Sequence, residues 1–90
     1  VLECIPKSLV ADITNNTSFS TIGIGAGSDT DAQVLVCYDM LGLSSNPAKF
    51  VKNFLADTLT DKAPSIANAF SAFKNSVEDG SYPAKEHEYQ

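Results

Sequence analysis

The sequence predicts an α/β chain whose short strands run parallel and are joined by helices. Val1-Leu2-Glu3-Cys4-Ile5 and Ser20-Thr21-Ile22-Gly23-Ile24-Gly25 are apolar or β-branched runs of strand length. Each is followed by apolar residues at helical spacing. A strand-helix-strand-helix order implies parallel strands, because each return has to cross the sheet. Two such strands cannot bury both faces of a parallel sheet. The chain is therefore expected to be the end of a larger α/β protein. Its start at Val1, without an initiating Met, agrees with a beginning inside a longer polypeptide.

The first strand is closed by Pro6, which suits the first turn of a helix. Leu9, Val10 and Ile13 supply that helix with an apolar stripe, and Asn15-Asn16 breaks it after two to three turns. The second strand runs into three glycines at alternate positions, Gly23, Gly25 and Gly27. Strand side chains alternate, so Gly23 and Gly25 share one face and Ile22 and Ile24 the other. A face without side chains admits close approach, by packed backbone or by a ligand. A dinucleotide fingerprint needs G-x-G-x-x-G, and here the third glycine comes one residue early with no ribose-binding acid downstream. Tight packing at a strand-to-helix corner is the favoured account.

Asp29 or Thr30 can cap the next helix, with Val34, Leu35, Cys37, Tyr38 and Leu41 as its apolar positions and Gly42 as its stop. Ser44-Ser45-Asn46-Pro47 reads as a loop and Ala48 to Leu55 as a short helix carrying Phe50, Val51 and Phe54 on one side. The last helix is expected from near Asp61, with Pro64 in its first turn, to Gly80. Ile66, Phe70, Phe73 and Val77 form its stripe, at the spacing of a core or an oligomer surface. Residues 81–90 read as a polar tail in which His87 is exposed and inert.

Ninety residues bound a single small domain. Eleven acidic against six basic side chains, a net charge of −5, argue against nucleic acid and against anionic membrane surfaces. No apolar run approaches the roughly 20 residues of a membrane span, and Val1-Leu2-Glu3 lacks the basic start of a signal peptide. Cys4 and Cys37 sit in apolar runs and are expected as buried free thiols. A different reading is a small, non-catalytic helical interaction domain, joined by a Cys4–Cys37 disulfide and glycosylated at the sequons of Asn15-Asn16-Thr17-Ser18. Asp29, Asp31 and Asp39 lack the glycine and terminal glutamate of a calcium loop, and helix capping is the role expected of Asp29 or Asp31.

Six segments in register carry a resemblance. They are Val1-Leu2-Glu3-Cys4-Ile5-Pro6, Ile22-Gly23-Ile24-Gly25-Ala26-Gly27, Gln33-Val34-Leu35-Val36, Asp39-Met40-Leu41-Gly42-Leu43, Lys49-Phe50-Val51-Lys52-Asn53-Phe54 and Gly80-Ser81-Tyr82-Pro83-Ala84-Lys85-Glu86-His87. Together they resemble the C-terminal third of the ketopantoate hydroxymethyltransferase family. The resemblance implies the C-terminal part of a (β/α)8 TIM barrel: residues 1–90 would supply its last two strands and helices plus the terminal helix and the tail, not a complete domain. It also implies transfer of a one-carbon unit from 5,10-methylenetetrahydrofolate to 3-methyl-2-oxobutanoate, with Mg2+ held by residues of the missing N-terminal part. A cytoplasmic homodecamer is implied too, with the remainder of the same barrel as this segment's partner. The family's catalytic glutamate maps onto Glu3; no position here matches its metal ligands or substrate contacts.

Chemistry adds its own case for Glu3. A carboxylate in an apolar run just before Pro6 sits where a parallel strand ends, the end that faces the active site in barrels. Burial there would raise its pKa and make it a better base. Without the resemblance, an edge-strand carboxylate facing water remains an open alternative. A barrel that kept the fold and lost the chemistry is the other; Glu3 argues against it.

Overall fold

A computed structural model describes residues 1–58 and 65–90. Strand β1 (Leu2–Glu3) leads through helix α1 (Lys7–Asn15) into β2 (Ile22–Ile24), as the sequence predicts. The two strands are parallel, with Leu2 opposite Gly23 and Glu3 opposite Ile24. Pro6 stands at the helix entry with φ −55°, and the Asn16 backbone and side chain both donate to the Asp12 carbonyl at the exit. Val10 is fully buried, whereas Leu9 stays exposed.

The next segment departs from expectation. Ala32–Gln33 forms a third parallel strand, β3, paired with Ile22 and Gly23, and the sheet order is β1-β2-β3. Only Cys37–Met40 is helical afterwards (α2), so Asp29 and Thr30 cap nothing. Asp31 instead closes the sheet. Its carboxylate accepts from the Thr21 backbone N–H at 2.8 Å and from the Thr21 hydroxyl at 3.2 Å, while its own N–H donates to that hydroxyl. The loop between β2 and β3 is held by the Gln33 amide, which donates to the Gly27 carbonyl and the Thr30 hydroxyl. Val34, Leu35 and Val36 are exposed, buried and exposed in turn, the alternation of extended chain.

Residues 48–53 are not helical either; α3 covers Phe54–Asp57, with the Asn53 side chain accepting from the Ala56 N–H. A continuous helix would commit the Phe50 carbonyl to the Phe54 N–H. Here that carbonyl accepts from the Tyr82 hydroxyl. Helix α4 (Ile66–Asp79) is capped by the Ser65 hydroxyl and ends at Gly80, whose φ of 83° fits the left-handed cap. The predicted start near Asp61 and Pro64 lies outside the described residues. The buried side of α4 runs through Ala69, Ala72, Phe73 and Val77, and of the predicted stripe Ile66 and Phe70 face outward.

The core gathers Ile24, Leu35, Met40, Phe50, Phe54, Ala69 and Tyr82. Phe54, Phe73 and Tyr82 meet edge to face, with ring centroids 5.3–5.9 Å apart. Such pairs are each worth about 0.5–1.5 kcal/mol beyond the area they bury.

The tail is not the solvated segment predicted. Tyr82, Pro83, His87 and Glu88 are buried, and Lys85–His87 make one 3-10 turn. The Ala84 N–H donates to Nδ1 of His87, whose ring lies 4.9 Å from that of Tyr82. Cys4 and Cys37 are free, as expected, but both are exposed rather than buried. Cys4 lies past the end of a two-residue strand and Cys37 opens the four-residue α2, so neither sits inside an element long enough to cover it. No disulfide joins them. Among the described residues no helix is long and apolar enough to cross a membrane.

Candidate active site

Glu3 is the last residue of β1, and the strand stops there for a local reason. Cys4 adopts φ 54°, a left-handed conformation that a non-glycine residue holds at a cost of roughly 1–3 kcal/mol. The chain turns sharply after Glu3 while the Cys4 N–H still reaches the Ile24 carbonyl at 3.0 Å. Parallel pairing puts the ends of β1 and β2 side by side, so Glu3 stands beside Ile24 and the loop that begins at Gly25.

The glycines of that loop serve packing. Gly25 has φ 66°, and a Cβ there would come within 2.5 Å of the Phe50 ring. A Cβ on Gly23 would meet the Thr30 side chain at 2.8 Å. Close approach is made by side chains of the same chain, which agrees with the packing account of the sequence.

The tail reaches the same end of the sheet. The Lys7 N–H donates to the Tyr89 carbonyl at 3.1 Å, and Nζ of Lys7 lies 3.2 Å from Oε2 of Glu88. The Glu88 carboxylate is almost wholly enclosed. Loss of solvation, and then the neighbouring Cys4 side chain, push the Tyr89 phenol above its ordinary range. The Lys49 ammonium lies 5.2 Å from the centre of the Tyr89 ring. A cleft of about 330 Å³ runs alongside, lined by Lys7, Ser8, Ala11, Asp29, Tyr89 and Gln90; Glu3 is not among its walls.

Glu3 itself is exposed. The described residues do not supply the burial expected of it, because among them β1 is an edge strand with nothing paired on its outer side. Among the described residues no three histidine, cysteine or acidic side chains converge to hold a metal ion. Asp31 is engaged with Thr21 and Asp39 accepts from the Ser44 hydroxyl. The described residues do not form a magnesium cage. Sequence reasoning missed Lys7, Glu88 and Tyr89. The one signal was Tyr82 and Tyr89 flanking the tail, aromatic residues with apolar surface to bury.

A family model of ketopantoate hydroxymethyltransferase matches residues 1–85. A 3-methyl-2-oxobutanoate hydroxymethyltransferase of Alcanivorax borkumensis is 50% identical over 88 residues, covering 97% of this chain and 32% of the relative. One from Psychrobacter sp. is 48% identical over 93 residues, covering 99% of this chain and 34% of the relative. A probable enzyme of that name in Schizosaccharomyces pombe is 50% identical over 91 residues, covering all of this chain and 32% of the relative. The chain thus spans about one third the length of the curated relatives it matches. With nearly every residue inside the matched region, the chain belongs to the ketopantoate hydroxymethyltransferase family.

Proposed function

We propose that this chain is the Glu3-bearing part of a 3-methyl-2-oxobutanoate hydroxymethyltransferase barrel, with Glu3 as general base. The observation that carries the reading is the place of Glu3: the C-terminal end of a parallel strand, beside the end of the next. Barrel enzymes build their sites at that end. The outer edge of β1, unpaired among the described residues, supports a further strand there, contributed by the remainder of the barrel, which would enclose the carboxylate.

In the proposed reaction Glu3 takes the proton from C3 of 3-methyl-2-oxobutanoate, and the C–H electron pair passes into the enolate. Water cleaves the two C–N bonds of the methylene bridge of 5,10-methylenetetrahydrofolate, its protons going to the two nitrogens, which releases tetrahydrofolate and a one-carbon unit at the formaldehyde level. C3 bonds to that carbon as its C=O π bond opens, and the oxygen takes the proton held by Glu3 to become the hydroxyl of 2-dehydropantoate. The expected Mg2+ would be held by residues outside this chain. Two exposed free thiols support a reducing, cytoplasmic setting. The outward Ile66 and Phe70 of α4 support a homo-oligomer, a decamer by the resemblance.

Intact mass and light scattering of the purified protein test the reading first. A barrel-sized chain or a complementary fragment is expected; a folded 9.6 kDa chain alone overturns it. In the barrel-sized enzyme, Glu3→Gln should lower ketopantoate formation by about 10²–10⁴-fold without changing assembly, and unchanged turnover removes Glu3 as the base.

A further inference from the structure

The turn after Glu3 is fastened by the far end of the chain. Its strained residue, Cys4, is held on one side by the Ile24 carbonyl. On the other side the tail makes three contacts with residues 4–7: the Tyr89 carbonyl on the Lys7 N–H, the Glu88 carboxylate on the Lys7 ammonium, and the Tyr89 side chain beside Cys4. A left-handed non-glycine residue persists where its surroundings over-determine it. Those surroundings include Glu88 and Tyr89 on the side away from Ile24. Glu88 is the more telling of the two. A carboxylate with an 8% exposed side chain is seldom left in so enclosed a place without a partner, and among the described residues it pairs with Lys7, at the first turn of α1.

We propose that Glu88 and Tyr89 are positioning residues for Glu3: they latch the Cys4–Lys7 turn and so fix the direction in which the Glu3 carboxylate leaves the strand. The claim rests on the proposed role of Glu3 as base. Neither residue touches the reacting atoms. A misplacement of about 1 Å in a reacting group can cost on the order of 100-fold in rate, so a latch on the adjacent residue has a measurable effect on turnover.

The test uses the full-length enzyme that carries these ninety residues, with Glu88→Gln, Lys7→Met and the conservative Lys7→Arg. Two readouts are taken. One is the rate of Cys4 alkylation by a maleimide, with exposed Cys37 as internal reference. The other is kcat and KM for 3-methyl-2-oxobutanoate.

Glu88→Gln and Lys7→Met should raise Cys4 alkylation at least threefold relative to Cys37 and lower kcat about tenfold, with KM held within about twofold. Lys7→Arg, which keeps the ion pair, should restore both values. Alkylation that does not change overturns the latch. Faster alkylation with unchanged kcat overturns the positioning role, leaving the tail a purely structural element. If the parent enzyme forms no ketopantoate, the role of Glu3 fails and the positioning claim with it; the alkylation ratio still decides the latch.

Discussion

The Tyr82 hydroxyl donates to the Phe50 carbonyl at 2.5 Å inside the core, joining the tail to the segment that precedes α3. Burial pushes the Tyr82 phenol up to about 12. Tyr82→Phe should therefore lower the stability of the folded chain by about 1–3 kcal/mol, because the Phe50 carbonyl is left buried without a donor. The urea midpoint measures it. The tyrosine also sets an alkaline limit. Its folded-state pKa is raised, so its contribution is complete below about 10 and is lost as pH rises toward 12, a loss that Tyr82→Phe should abolish.

Gly25 faces the Phe50 ring with φ 66°, so Gly25→Ala meets two costs at once. The left-handed backbone and the clash with the ring together predict a loss of about 2–4 kcal/mol, readable as a lower melting temperature. An unchanged melting temperature would show that the Phe50 ring can swing away without loss.

His87 gives the chain an acid limit. Burial holds its pKa below the ordinary 6.5, with Glu86 opposing and Lys52 adding to the depression. Nδ1 accepts the Ala84 N–H, so the folded tail favours the neutral ring. The unfolded chain then takes up the proton first. Stability should be complete above about 6.5 and fall as pH drops from there through the lower folded-state value. His87→Asn, which keeps an acceptor near Nδ1, should flatten the melting temperature across that window.

Phe70 is 43% exposed on the outer side of α4. In the full-length enzyme Phe70→Asp should lower the mass found by light scattering and change protomer stability by no more than about 0.5 kcal/mol. An undiminished assembly would assign the exposed stripe of α4 to something other than contacts between protomers.

The elements readable in the sequence are those whose signals are local. Pro6 with Leu9, Val10 and Ile13 marks α1, Ile22-Gly23-Ile24 marks β2, and Gly80 ends α4. Val34-Leu35-Val36 is apolar throughout, so it satisfies a helical period as readily as a strand period. Only burial of Leu35 between two exposed valines separates the two. Strand β3 depends on the Asp31–Thr21 bonds and the break before α3 on Tyr82, partners ten and thirty-two residues distant. Glu3 was legible as a strand-end carboxylate because the residues around it are apolar. The latch beside it was not, since Lys7, Glu88 and Tyr89 share no local pattern.

The hydrogen bond from the Lys7 N–H to the Tyr89 carbonyl also bears on the order of events during synthesis. It closes a loop of nearly the whole chain. Strands β1 and β2 both precede the tail in the chain, but the turn after Glu3 stays unfastened until Glu88 and Tyr89 have been translated and released. A nascent chain stalled before Glu88 would lack that closure.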